Sequence, residues 1–288
     1  MPESQSVRIA LVQQSVDPDR ERNVEKGLEA VRQAAASGAR LVVFPEVAFD
    51  HFFPQRPVGD TIPWELAESI PGPTTDRFAV LARELGVVIV LNLYERDGDR
   101  AFDSSPVIDA DGSLMGVTRM LHIAEMPRFH EQGYYTPGDR GMPLYETAIG
   151  RLGVAICYDR HYPEVMRSLG LANADLVVVP QAGAIGEWPN GLFEAELRVA
   201  SFQNGYYSAL CNRVGKDGDL TFGGESFVCD PEGQVIATAA SGKDDVLLAD
   251  IDLSACNKST ARRLFLRDRR PELIDSLMNY VIEHSGRD

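Results

Sequence analysis

The chain has 288 residues, 44% of them hydrophobic and 25% charged, which is ample for a large buried core. Its 28 basic residues face 43 acidic ones, a formal net charge of −15, and no Lys/Arg-rich run offsets it, so a nucleic-acid partner is excluded. No apolar run is long enough to span a bilayer, which excludes a membrane-spanning role.

In chain order, strand-like and helix-like segments alternate. Residues 7–12 read as an opening strand. Val24, Leu28, Val31 and Ala35 then recur at helical spacing, with Gly38 as a stop. Residues 41–44 form a short apolar run, as expected of a strand buried on both faces. Phe78, Leu81, Ala82 and Leu85 mark a second amphipathic helix ending at Gly86, and residues 87–93 a β-branched strand. Residues 101–119 read as a meander turning at Asp111-Gly112. The strand at 152–156 runs straight into Cys157. Pro163 sits at a first helical position and Gly170 where that helix stops. A strand at 176–179, a helix carrying Phe193, Leu197 and Ala200, and strands at 206–211, 226–229, 235–237 and 246–251 complete the pattern. No linker or repeat interrupts it, so residues 1–288 read as one α/β domain of two sheets covered by helices. Residues 262–288 form a C-terminal tail whose first part, residues 262–273, mixes large apolar side chains with arginines, and it reads either as a surface helix or as an arm packed on a neighbouring subunit.

The four cysteines, at 157, 211, 229 and 256, show neither CxxC spacing nor a His cluster at metal-ligand distance. The chain opens MPESQSVRIAL, without a basic stretch leading into an apolar one. A cytoplasmic setting with reduced thiols is expected. Most cysteines are small core hydrophobes, and Cys211, Cys229 and Cys256 are read that way. Cys157 differs. A buried strand delivers it to a carboxyl end, a helix begins a few residues later, and Asp159, Arg160 and His161 follow. That setting favours a thiolate and exposes backbone N–H groups able to hold an oxyanion. A papain-like, His-assisted thiol is the competing mechanism, but His161 is too near in sequence to be its base. Glu46 lies just past the strand LVVF, so a second strand end presents a carboxylate.

Together these segments resemble the carbon–nitrogen hydrolase (nitrilase) superfamily, and the resemblance spans nearly the whole chain. It is carried by Phe44-Pro45-Glu46, by residues 119–139 ending in Tyr135-Thr136-Pro137-Gly138-Asp139, by Cys157-Tyr158-Asp159-Arg160-His161-Tyr162-Pro163-Glu164, by Asn212-Arg213-Val214-Gly215, and by residues 223–227 and 230–233. Arg267-Asp268-Arg269-Arg270-Pro271-Glu272-Leu273 resembles the tail of the N-carbamoyl-cleaving branch. The resemblance implies a four-layer α-β-β-α sandwich without metal or organic cofactor, in a homo-oligomer joined through the helix after Cys157 and the tail. It implies hydrolysis of a small linear amide or N-carbamoyl substrate through a thioester-type intermediate. Glu46 matches the family's base, Cys157 its nucleophile, Glu131 a second acidic residue near the site, and Tyr158 the residue whose N–H faces the oxyanion.

One departure stands out. The family's catalytic lysine lies in a strand-end pattern that here reads Thr118-Arg119-Met120-Leu121-His122, so its position falls on Met120. Methionine carries no charge and donates no hydrogen bond, and losing an oxyanion donor costs about 10²–10³ in rate. Either another cation, such as Arg119 or His130, supplies the charge, or the protein binds a ligand without turning it over, or the methionine was introduced into an ordinary enzyme. Arg160 resembles an arginine that grips a substrate carboxylate in the N-carbamoyl amino-acid branch, a task suited to a guanidinium fork, although an ion pair with Glu164 or Asp159 would explain it equally. His161, Trp188, Phe52 and Phe53 are candidate pocket walls. The rivals to an amidase are a non-catalytic ligand-binding homologue and a nitrilase acting on C≡N.

Overall fold

The computed structural model describes residues 6–59 and 63–274. The strands are β1 (Ser6–Gln13), β2 (Leu41–Val43), β3 (Val88–Val90), β4 (Leu93–Asp97), β5 (Arg100–Ile108) and β6 (Leu114–Arg119). Two short ones, β7 (Glu125–Met126) and β8 (Phe129–His130), form a hairpin and are followed by β9 (Leu144–Thr147), β10 (Gly150–Val154), β11 (Leu176–Gln181) and β12 (Tyr207–Asn212). A second hairpin, β13 (Val214–Asp217) and β14 (Leu220–Gly223), precedes β15 (Phe227–Cys229), β16 (Val235–Thr238) and β17 (Asp245–Asp252). The first sheet runs β17-β1-β2-β3-β5-β4, with β6 also paired to β5; the second runs β16-β15-β12-β11-β10-β9. At the centre of each, three strands lie parallel: β1-β2-β3 and β10-β11-β12.

Strand alternation then dictates the layers. Ile9, Leu11, Leu41, Val43, Val88 and Val90 meet Leu152, Val154, Leu176, Val178 and Ala209 in one core between the sheets. The intervening residues Ala10, Val12, Val42 and Ile89 face the other way, against Val24, Leu28 and Val31 of α1 (Arg20–Ala36) and Phe78 and Leu81 of α2 (Pro73–Leu85). On the second sheet Ala155, Val177, Val179 and Leu210 pack under α3 (Pro163–Leu171) and α4 (Leu192–Asn204). The expected α-β-β-α sandwich is the fold found. Most helix ends follow the sequence signals: Asp19 caps α1 by accepting from the Glu21 N–H, Pro73 and Pro163 open α2 and α3, and Gly86 closes α2 at φ +66°, but α3 runs through Gly170, its expected stop, to Leu171.

Three expectations need correction. The single strand read over 87–93 is broken at Leu91-Asn92, where β3 ends and β4 begins along the same edge of β5. The strand read as reaching Cys157 stops at Val154. Hairpin β13–β14, turning at Gly218-Asp219 with Gly218 at φ +60°, was not anticipated despite its Gly-Asp signal. In the tail, Arg262 Nη2 donates to the Ala174 carbonyl, and the Phe265 ring packs on Phe202 with centroids 5.3 Å apart. Residues 275–288 of that expected arm lie outside the described residues. Among those described, no helix is long and apolar enough to cross a membrane.

Gly27 shows how tightly α1 seats on the first sheet. The rings of Phe44, Phe49 and Phe78 lie 5.4 Å apart in a mutually packed trio. A Cβ at Gly27 would come within 2.7 Å of Phe49 Cε1 and 3.1 Å of Phe44 Cε1. Alanine normally favours a helix interior by ~1 kcal/mol; here overpacking of about 1–3 kcal/mol reverses the sign. Gly27→Ala is therefore expected to lower the urea midpoint, and a raised midpoint would refute this account of the packing.

Candidate active site

The parallel strands of both sheets end at the same edge of the sandwich, and the chain turns sharply there. After β2 the backbone passes through Phe44 and Pro45 to Glu46, whose N–H donates to the Gln181 carbonyl at the end of β11 (3.4 Å). Val47 follows at φ +46°, an unfavourable conformation for a β-branched residue. Buried polar side chains hold it. Asn92, in the break between β3 and β4, accepts the Val47 N–H at 2.7 Å. Arg213 donates to the carbonyls of Glu46 and Val47, to that of Asp50 (2.9 Å), and to Asp217 (2.9 Å). Its neighbour Asn212 ties Gly183 and Gly224 together through bonds of 2.8–3.1 Å. The Asn212-Arg213 pair thus clamps the strand ends.

Glu46 is fully buried, and its Oε2 accepts the Ala182 N–H at 2.7 Å. Its other oxygen, Oε1, is buried with no hydrogen-bond partner among the described residues, and Cys157 and Asp103 lie near enough to influence its charge. Burial, and next the charge of Glu131, push its pKa up to about 7. Cys157 opens a 3-10 turn, Cys157–His161, at φ +40°. Such strain at a strand end is an observed outlier of the sort found at reactive sites. The thiolate expected there is not favoured: burial, then the Glu46 charge, hold the thiol well above its ordinary range, against the opposing charge of Arg160. The reason is position. Helix α3 starts beyond the 3-10 turn, so desolvation outweighs any helix-terminus potential at Cys157.

Glu131 is also buried, with Oε2 accepting the Ala124 N–H at 3.3 Å and its pKa raised first by burial and then by Asp103. Met120 is 1% exposed and belongs to the core between the sheets. Arg119 does not stand in for the lost lysine. Alternation along β6 sends it the opposite way, where Glu95, Asp97 and Asp139 bind it at 2.6–2.9 Å and the Phe102 ring lies 3.7 Å from Cζ. His130 bonds Glu125 at 2.8 Å on the β7–β8 hairpin, and no contact joins it to Cys157 among the described residues.

The remaining candidates cluster on the other side of Cys157. Arg160 Nη1 donates to the Cys157 carbonyl at 2.6 Å and lies 3.9 Å from Sγ, while Nε pairs with Glu196 at 3.2 Å. The alternative partners Glu164 and Asp159 are thus not its partners. Nη2 is buried and unpartnered among the described residues. His161 shares Glu196 through Nδ1, and its ring meets Trp188 and Tyr158 edge-on. Asp159 accepts from the N–H groups of Leu121 and His122 (3.0 Å each) and from the His122 ring, fastening the end of β6 to the Cys157 turn. Sequence reasoning missed Asp103 and Asn92, whereas the resemblance places the run from Gln181 to Gly186 at the rim of the site. Gln181 is wholly buried, with both amide atoms unpartnered among the described residues. Phe52 faces Phe129 and Phe222 in a small apolar cluster.

The four layers and the strand-end site define an α-β-β-α hydrolase architecture. The family model of carbon–nitrogen hydrolases matches residues 8–260. Over 289 residues the chain is 32% identical to an N-carbamoylputrescine amidase of Solanum lycopersicum, covering 94% of this chain and 95% of that protein. It is 30% identical over 285 residues to a citrullinase of Francisella tularensis, covering 95% and 98%. The crystal structure of a carbon–nitrogen hydrolase from Helicobacter pylori G27 superposes with a TM-score of 0.87 at 30% identity, covering 96% of this chain and 99% of that one. The chain belongs to the carbon–nitrogen hydrolase family.

The buried carboxyls make stability depend on pH in an unusual direction. An unfolded Glu loses its proton near pH 4.3, whereas the folded site keeps it until about 7. The folded state then binds more protons across that window, and stability falls as pH rises through it. Glu46→Gln removes the charge but keeps an acceptor for the Ala182 N–H. It is expected to stabilise the protein by roughly 1–3 kcal/mol at pH 8 and far less at pH 4.5. Melting curves at the two pH values check this; an equal shift at both would contradict the burial account.

Proposed function

We propose that the chain hydrolyses a linear amide or N-carbamoyl bond, with Cys157 as nucleophile, Glu46 as base, and a carboxylate-bearing small molecule as substrate. The observation that carries this reading is the burial of the Glu46 carboxyl and the Cys157 thiol at converging strand ends, close enough that the charge of Glu46 acts on the thiol. A thiol held protonated by burial needs such a base. Glu46 takes the thiol proton as Sγ attacks the carbonyl carbon, and the charge moves to the carbonyl oxygen, which accepts from the Tyr158 N–H. Ammonia leaves with the proton returned from Glu46. On an N-carbamoyl compound this gives a thiocarbamate on Cys157, which water, again deprotonated by Glu46, converts to the carbamic acid and thence to amine and carbon dioxide. Glu131 stands behind the pair as a second acid that keeps the Glu46 pKa high. The unpartnered Nη2 of Arg160 supports the carboxylate reading, because a buried guanidinium N–H calls for an acceptor.

Met120 favours a second reading, a homologue that binds such a ligand without turnover. Ammonia release from N-carbamoyl amino acids, N-carbamoyl amines, simple amides and nitriles separates the two. Release is expected from the N-carbamoyl amino acids, and Cys157→Ala should abolish it. Arg160→Leu should raise KM for carboxylate-bearing compounds more than for uncharged amides, by about 10–100-fold. Turnover surviving in Cys157→Ala sinks the mechanism, and no release from any compound favours the binding homologue.

Self-association is part of the same proposal. A groove of about 530 Å³ between α3 and α4 is lined by Met166, Leu192 and Val199, and Val199 is 52% exposed. Exposed Phe202, Leu264 and Phe265 extend this apolar face to the tail, and a second copy of the chain is its proposed cover. Sedimentation should give a dimer or larger species that Val199→Asp shifts towards monomer; a monomer before substitution rules this cover out.

A further inference from the structure

Asp103 lies opposite Met120 across β5 and β6. Ser104 of β5 pairs with Arg119 of β6, and one step further the Met120 N–H donates to the Asp103 carbonyl at 2.9 Å. Cross-strand partners point to the same face, so the Asp103 carboxyl lies beside the Met120 side chain. It is 1% exposed, and Oδ1 accepts from the amide of Asn92. Its Oδ2 and the Glu46 Oε1 are both buried with no donor among the described residues, and the charge of Glu46 acts directly on Asp103. Two neighbouring carboxyls buried without donors or a free cation cannot both be ionised, so at least one proton stays with the pair.

The surroundings leave that proton in place. Around the pair stand Glu131, Tyr135, Asp159 and Cys157, all of which oppose further negative charge. The nearby cations are committed elsewhere: Arg213 to backbone carbonyls and Asp217, Arg160 to the Cys157 carbonyl and Glu196.

We propose that Asp103 is a neutral carboxylic acid at pH 7 that shares one proton with Glu46, and that this shared proton takes the place of the lysine as the donor that holds and orients the base. Asp103 is then a positioning residue. The inference rests on Glu46 being the base of Cys157. In the first step the S–H bond breaks, its proton passes to Glu46, and the S–C bond forms with the electron pair ending on the carbonyl oxygen. The Asp103 O–H is unchanged throughout, and the Glu46 proton returns to the leaving nitrogen. The pair therefore cycles between one and two protons.

Asparagine at 103 reproduces the neutral acid, with an oxygen for Asn92 and an N–H for Glu46; alanine does not. With iodoacetamide as probe at pH 7, Asp103→Asn should alkylate Cys157 within about threefold of the unmodified protein, and Asp103→Ala at least about tenfold more slowly. Asparagine as damaging as alanine would overturn the proposal, since that is the behaviour of an ionised Asp103. An infrared difference spectrum, unmodified minus Asp103→Asn, is independent of activity and of whether the alanine variant folds. It should show a protonated-carboxyl C=O band at pH 7, and its absence would also overturn the proposal. Glu46→Gln in the same alkylation assay tests the underlying reading separately: an unchanged rate there refutes Glu46 as the base, whatever the infrared band reports.

Discussion

Three carboxyl groups, Glu46, Asp103 and Glu131, are each at most 1% exposed, and none has an ion-pair partner among the described residues. Removing a lone carboxylate from water costs several kcal/mol or forces it to keep its proton. The pKa of all three is displaced upward, with burial as the first cause in each. The protein accepts this because the sandwich around the site has much to offset it. One core joins the two sheets and two more seat the helix layers, and area-based estimates of about 25 cal/mol per Å² make such burial the largest favourable contribution to folding.

What distinguishes the site from an ordinary polar pocket is that its geometry is held by groups that do no chemistry. Arg213 spans the carbonyls of Glu46, Val47 and Asp50, Asn92 holds the Val47 N–H, Asn212 joins Gly183 to Gly224, and Asp159 binds the chain after Met120. Each buried partner satisfies backbone groups that the sharp strand-end turns would otherwise leave unpaired. Two residues with positive φ, Val47 and Cys157, sit within these ties. The cost of their conformations is borne by the network, so the reacting atoms can be placed where regular secondary structure would not put them.

Much of this was legible in the chain. Apolar runs at 41–44 and 176–179 announced strands buried on both faces, and the helical spacing of Val24, Leu28 and Val31 announced the layer above them. Glu46, Glu131 and Cys157 do converge, although only the family resemblance, not any spacing, joined residues so far apart. Asp103 and Asn92 could not be read. Their significance comes from the broken edge β3–β4 and from the register that sets Asp103 opposite Met120, and long-range pairing is invisible to local pattern. Arg119 was misjudged as a substitute cation because alternation along β6 was not carried through to its consequence: neighbours on a strand face opposite ways.

The direction of the Cys157 pKa decides what sort of nucleophile this fold can offer. A cysteine paired with a cation or a helix terminus rests as a thiolate and waits for its substrate. Here the nearest cation, Arg160, lies 3.9 Å from Sγ and is already bound to the Cys157 carbonyl and Glu196. Desolvation prevails, and the thiol keeps its proton until a base removes it. That arrangement ties reactivity to contact with Glu46 and spares the resting protein the oxidation to which exposed thiolates are prone. On the mechanism proposed above, Met120 leaves the site without the positive charge that would stabilise an ionised thiol, base and oxyanion together. A site so changed can act only if a proton is passed within it at each step, which makes the protonation state of its carboxyls, rather than a fixed positive charge, the variable that governs it.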